Sequence, residues 1–148
     1  MFGNPHSFLM KKILILRFSS IGDIVLTTPV IRCLKQQGED FEVHYCTKKS
    51  YKGLLEENPY VDKIHVLSDR LADLVASLKA EKFDYVVDLH HSLRSLLIKK
   101  KLGVKAYTFD KLNFKKYMFV NFKINKMPNV HIVDRYMDTV KPLGITND

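Results

Sequence analysis

The chain has few of the residues on which small folds and many active sites are built. Its two cysteines, Cys33 and Cys46, are too few and too far apart for a disulfide framework or a zinc ribbon. A reducing, cytoplasmic setting is therefore expected, with both thiols filling the core. Glycine is also sparse, with six in all. None is spaced as in a dinucleotide fingerprint, and none precedes the Lys-Ser/Thr of a phosphate-cradling loop, so nicotinamide and ATP readings lose their main support. No apolar run approaches the roughly 20 residues needed to span a bilayer. The opening "MFGNPHSFLMKK" places its basic pair after its apolar residues and has no small-residue cleavage site, so it does not read as a secretion signal. Residues 1–10 are taken as an N-terminal extension, with Met10 as an alternative start, and 11–148 as one domain. Internal repeats, low-complexity tracts and linkers are lacking.

What is present suits a soluble globular domain. The chain has 148 residues, 46% of them hydrophobic and 27% charged, enough to bury a core and far from the composition of a disordered segment. The net charge of +8 is localised. From Arg94 to Lys126 ten basic residues, including Lys111, face one acid, Asp110, which gives +9 there and −1 elsewhere. Tyr107, Phe109, Phe114, Tyr117, Phe119 and Phe122 are interleaved with them. A solvated lysine face explains such a run; so does a surface for an anionic partner, whether phosphorylated glycolipid, headgroup or nucleic acid.

Apolar patterning alternates between strand and helix. "KILILRF" (12–18) reads as a strand buried on both faces. Residues 22–37 carry helical spacing and end at Gly38, a natural C-cap. Pro29 fits either the first turn of a helix capped by Thr28 or a kink in one begun near Gly22. "FEVHYC" and "KIHVL" read as strands, with the short helix "SYKGLLEENP" between them. Ser68 is placed to cap a helix with Leu71, Leu74, Val75 and Leu78 on one stripe. "DYVVDLH" (84–90), the helix "SLRSLLIKKKLG", "KAYTF" and a final helix broken at Pro142 complete the series. The alternation predicts a Rossmann-like α/β fold, a parallel sheet covered by helices.

In such sheets ligands collect beyond the carboxyl ends of the strands, at the point where strand order reverses. "RFSSIGD" and "DLHHSLR" fall there by position. Asp23 has two readings that pull in opposite directions. Capping a helix start stabilises its charge, whereas general-base work needs a carboxylate free to take a proton. His90 and His91 read either as a hydrogen-bonded pair at a strand end or as site residues. His131 and Arg135, four apart on one helical face, either reach the cleft or stabilise their helix; the latter is favoured. No metal site is expected, because His90-His91 lacks a helical partner or nearby cysteines.

"ILILRFSSIGDIVLTTPVIRCLK", "NPYVDKIHVL", "DYVVDLHHSLRS" and "HIVDRYMDTVKPLGI" together resemble, in order, motifs of the N-terminal half of the family 9 glycosyltransferases, the bacterial ADP-heptose:lipopolysaccharide heptosyltransferases. The resemblance implies a GT-B architecture, in which an N-terminal Rossmann-like domain receives the acceptor and a C-terminal one binds the nucleotide sugar. It implies that Asp23 is the catalytic base of an inverting transfer. Ser19, Ser20 and Gly22 would shape the turn, while His90, His91 and Arg94 would line the acceptor side. Arg94 would pair with an acceptor phosphate or carboxylate. Members often carry Gln-Gly or His-Gly where this chain has His90-His91. No metal or cofactor is implied; the donor, ADP-heptose, would bind the other domain.

The basic segment then gains a candidate partner, an anionic glycolipid acceptor at the inner-membrane surface, with nucleic acid disfavoured because no binding motif accompanies the charge. Complete members are about twice as long, so the chain is expected to bind acceptor and to need a donor domain in cis or in trans for transfer. The alternatives are a stand-alone module that binds anionic glycolipid or nucleic acid through residues 94–126.

Overall fold

The computed structural model describes residues 10–37, 40–110 and 128–147, except the side chains of 128–131. The Gly38 cap, Lys111, the rest of the basic run beyond it and the His131 side chain therefore lie outside the described residues. β1 (Lys11–Leu16), β2 (Phe41–Lys48), β3 (Lys63–Leu67), β4 (Tyr85–Asp88) and β5 (Lys105–Thr108) form one parallel sheet in the order β3-β2-β1-β4-β5. β1 is central and fully buried from Ile13 to Leu16, as its unbroken apolar run predicts. Strand order reverses beside it, between β1 and β4.

Alternate residues of the strands feed two cores. Ile13, Ile15, Val43, Tyr45 and Val87 pack under α2 (Thr28–Gln37) and α6 (Pro128–Val140). Leu14, Leu16, Cys46 and Val86 pack under α4 (Leu71–Ala80), with Ile98 of α5 (Leu93–Leu102) on the same side. Cys33 and Cys46 are both buried free thiols, and burial pushes the Cys46 thiol up to about 12. Among the described residues no helix is long and apolar enough to cross a membrane.

Several boundaries differ from the sequence pattern for local reasons. The segment 22–37 is two helices, α1 (Ile21–Leu26) and α2, separated by Thr27. The Thr27 hydroxyl donates to Ile24 O at 2.6 Å and lies 2.8 Å from the Tyr45 hydroxyl. Its carbonyl accepts from Val30 N at 3.0 Å. Pro29 thus sits in the first turn of α2, where its missing N–H costs nothing, and the cap is Thr27 rather than Thr28. After β2, Lys49–Tyr51 and α3 (Lys52–Glu56) form the predicted short helix. Ser68 does not cap α4: its hydroxyl donates to Arg70 O at 2.9 Å, and Arg70 takes the cap position. β4 stops at Asp88, so "LHH" is loop. α6 gives way after Val140 to a single tight turn, Lys141–Leu143, ended by left-handed Gly144.

Candidate functional site

The loops after β1 and β4 meet where strand order reverses. Leu89 N donates to Leu16 O at 3.0 Å. The Arg17 guanidinium donates through Nη1 to Leu89 O at 3.0 Å. Phe18 N lies 3.4 Å from His90 Nδ1, and the two rings are 5.0 Å apart. "RFSSIGD" and "DLHHSLR" are therefore one structural unit, as their positions after buried parallel strands predict.

Asp23 serves as a helix-start residue within this unit. It is the third residue of α1, and its Oδ2 accepts from Ser20 N at 3.2 Å and from Ser20 Oγ at 3.0 Å. Arg17 Nη2 lies 3.1 Å from the same oxygen. All three contacts use Oδ2, and the side chain retains 37% exposure. The carboxylate is thus held by one edge and presented by the other. Tyr136 of α6 stands close enough to feel both charges: burial raises its phenol, Arg17 lowers it and Asp23 raises it. Gly22 lies inside α1 rather than in the turn before it. A Cβ there would meet nothing within 4 Å, and its backbone is not left-handed.

The β4 loop is built around Asp88, which is fully buried. Its Oδ1 accepts from His90 N at 3.0 Å and His91 N at 2.8 Å. Lys99 Nζ lies 2.9 Å from Oδ2 and donates to Thr108 Oγ1 at 2.7 Å. This folds the chain tightly enough that His91 adopts φ 55°, a left-handed conformation that glycine takes without a side-chain penalty. That explains why a Gly fits this position in the resembled motif. Ser92 then caps α5 reciprocally, its Oγ accepting from Ser95 N at 3.2 Å while Ser95 Oγ accepts from Ser92 N at 2.8 Å.

Two adjoining hollows open here. One of about 310 Å³ is lined by Phe18, Ser19, Lys48, His90, Leu93 and Arg94, among others. The next, about 350 Å³, runs along Lys48, Lys49, Ser50, Ser68 and Arg94 at the carboxyl ends of β2 and β3. Leu93, 73% exposed, gives the basic wall an apolar edge. Ser19, His90 and Arg94 share the first hollow, Ser20 and Asp23 join the β4 loop through Arg17, His91 follows His90 in that loop, and Gly22 directly precedes Asp23 in α1. Arg135 lies elsewhere, in a hollow of about 240 Å³ with Thr108, Phe109 and Asp138. Its Nη1 is 3.4 Å from Asp138 Oδ2, three residues on along α6. Lys99, counted in the basic run, is committed to Asp88 and Thr108, with 12% side-chain exposure. Sequence reasoning missed Lys48 and Lys49; the signal was "KK" at the carboxyl end of a strand that neighbours β1. It also missed Arg17 and Asp88, charged residues closing buried apolar runs.

No protein-family model matches the chain. It is 30% identical over 135 residues to lipopolysaccharide heptosyltransferase 1 of Campylobacter coli, covering 85% of this chain and 40% of that one. Among solved structures it superposes on a glycosyl transferase family 9 protein of Veillonella parvula with a TM-score of 0.73 at 22% identity, over 93% of this chain and 42% of that one. The Escherichia coli heptosyltransferase WaaC with ADP gives a TM-score of 0.68 at 16% identity, over 93% of this chain and 48% of that one. The chain thus spans about 40% of the length of the curated relatives it matches.

Proposed function

We propose, for a chain whose kinship is with the lipopolysaccharide heptosyltransferases of glycosyltransferase family 9, that it is the acceptor-binding half of an inverting heptosyltransferase. The observation that carries this reading is Asp23: a carboxylate fixed through Oδ2 by Arg17 and Ser20, with its other edge free to face a ligand at the switch point. A base needs that arrangement, since positioning without full engagement leaves one oxygen to take a proton. The acceptor hydroxyl would attack the anomeric carbon from the face opposite ADP. The new C–O bond forms as the bond to the diphosphate breaks, ADP leaves with the electron pair, and the proton passes to Asp23.

Lys48, Lys49 and Arg94 would hold the phosphates or carboxylates of an inner-core lipopolysaccharide acceptor, Arg94 as a two-pronged donor and the lysines as point charges. Exposed Leu93 suits the lipid-bearing end. The donor, ADP-heptose, would be supplied by a second Rossmann-like half in cis or in trans, which would also stabilise the leaving diphosphate. Docking at the inner-membrane surface belongs to the same reading. Residues 11–148 then constitute the acceptor domain.

The test joins this chain to a family 9 donor half and measures heptose transfer from ADP-heptose to inner-core acceptor. Asp23→Ala should lower turnover by at least about 100-fold, the usual scale of a general base, with acceptor affinity kept. Undiminished transfer in that variant would refute the base assignment. The alternative of a stand-alone anion-binding module through residues 94–126 is favoured if the chain binds RNA with steep salt dependence and shows no affinity for lipopolysaccharide core.

A further inference from the structure

Away from the switch point, toward the amino ends of the strands, three chemistry-bearing side chains converge without any role in the site above. His44 of β2 and His65 of β3 are 2% and 6% exposed. Glu81, the residue that ends α4, reaches in beside them with 18% side-chain exposure. His44 Nδ1 is 2.9 Å from His65 Nε2 and 3.1 Å from Glu81 Oε2, and the three donor atoms all lie within 4.8 Å of one another. We propose that His44 Nδ1, His65 Nε2 and Glu81 Oε2 form a binding site for a divalent zinc-class cation that clasps β2, β3 and the end of α4.

The argument rests on the convergence of ligand atoms. His44 Nε2 lies 2.7 Å from Glu42 Oε2, which leaves Nδ1 as the ring atom turned toward the cluster. His65 Nε2 and Glu81 Oε2 both face that nitrogen, at 2.9 Å and 3.1 Å. A divalent cation placed among them is coordinated by all three atoms at once, and its binding displaces any hydrogen shared between them to solvent.

The donor set and its surroundings match the chemistry. Two imidazoles and a carboxylate are the ligands of one class of zinc site, with a fourth position left for water. Zinc bonds of about 2.0–2.2 Å place tetrahedral donors roughly 3.3–3.5 Å apart, so the ring nitrogens need part by only about half an ångström. Glu42 behind His44 supplies the carboxylate that fixes a ligating imidazole's tautomer and ring orientation. Phe83 presents its ring edge-on to both imidazoles, at 5.0 Å and 6.1 Å between centroids, and walls one side with hydrocarbon. Burial and His44 push the His65 imidazole down to about 4, so its lone pair is available at neutral pH. Although burial alone would raise it, the Glu81 carboxyl is held below its usual range by Lys63, His44 and Lys12. Lys63 Nζ sits on Oε1 at 3.1 Å, leaving Oε2 to the imidazoles. The ligands come from positions 44, 65 and 81, so no short motif announces them.

The test uses the full chain stripped of metal with a chelator and titrated calorimetrically with zinc ions alone. One zinc per chain is expected, with a rise in the unfolding temperature. Cobalt in its place should give the intense visible absorption of a tetrahedral centre. His65→Gln and Glu81→Gln should abolish the uptake, and Glu42→Gln should weaken it about 10–100-fold. Lys63→Ala, which frees Glu81 from a competing cation, should tighten it. Those last two substitutions lie at the edge of the cluster, and circular dichroism verifies that each variant is folded. No uptake by the folded wild-type chain would overturn the site. So would uptake of the same affinity in folded His65→Gln and Glu81→Gln chains, because zinc would then be held elsewhere.

Discussion

At the switch point the polar side chains bond mainly to backbone, whereas around His44 they bond to one another. Asp88 takes two amide protons, Arg17 a carbonyl, and Asp23 the Ser20 amide. These bonds hold two loops still while their outer atoms stay available, so Asp23 keeps 37% exposure and Arg94 lines both hollows. Both ring nitrogens of His44 are turned toward other side chains, and His44 and His65 are buried. A scaffold of backbone-anchored groups leaves a face for an organic ligand. A closed knot of side chains has room only for something the size of an ion. The same α/β sheet thus carries an open polar surface at one end and a closed side-chain cluster toward the other.

The most direct way to break this contrast is to remove the anchor of the open region. Asp88→Ala leaves two amides and the Lys99 ammonium without their buried partner, and should cost about 3–5 kcal/mol, as for breaking a buried ion pair from one side. Urea unfolding measures it. Asp88→Asn keeps an acceptor for the His90 and His91 amides while dropping the charge opposite Lys99. If Asn recovers most of the loss, backbone anchoring dominates; if it behaves like Ala, the Lys99 pair does, and the contrast with the closed region weakens.

The closed region can be probed by alkali. Cys46, paired in register with His65, is pushed up by burial to about 12, and Tyr45 next to it on the opposite face of β2 is raised by burial as well. Both groups are neutral in folded and unfolded chains below pH about 7.5, a unit under the ordinary thiol value. As pH rises, the unfolded chain loses these protons first. The folded state therefore loses stability with rising pH, by about 1.4 kcal/mol per pH unit for each proton so withheld. Cys46→Ala should flatten the thiol's part of that decline. An unchanged alkaline limb in this variant would mean that the interior around β2 admits solvent more freely than its burial indicates.

Much of the open region is legible in the sequence because its parts are contiguous. "KILIL" and "YVV" are apolar enough to mark buried strands, and the polar residues just after them are then placed by the parallel topology. Pro29 could not be assigned in advance because the break is decided by the Thr27–Tyr45 contact, which joins positions 18 residues apart. Ser68 misled because a hydroxyl two residues before the cap position can bond locally instead of capping. Lys99 read as part of a solvated run because its partner, Asp88, sits 11 residues earlier in a strand whose depth only packing reveals. The His44, His65 and Glu81 cluster leaves no local trace, since each residue comes from a different element. His91 is intermediate: its place in the loop was readable, but its left-handed backbone became visible only once Asp88 drew two successive amides to one oxygen.

The smallest expected change in stability is also the most discriminating for the open region. Gly22 lies in α1 without a positive φ, and a Cβ there would meet nothing within 4 Å. Neither the fold nor any described neighbour therefore requires glycine. By helix propensity alone, Gly22→Ala should stabilise the chain by roughly 0.5–1 kcal/mol, seen as a higher urea midpoint. If the face beside Asp23 receives an acceptor sugar at close range, the same methyl should obstruct it and raise the acceptor KM of a chain joined to a donor half. A gain in stability with a loss of acceptor affinity is what a ligand-imposed glycine produces. A variant that is more stable and binds acceptor as well as before would mean that the ligand does not approach α1 over Gly22, and the acceptor would then have to lie toward Lys48 and Arg94.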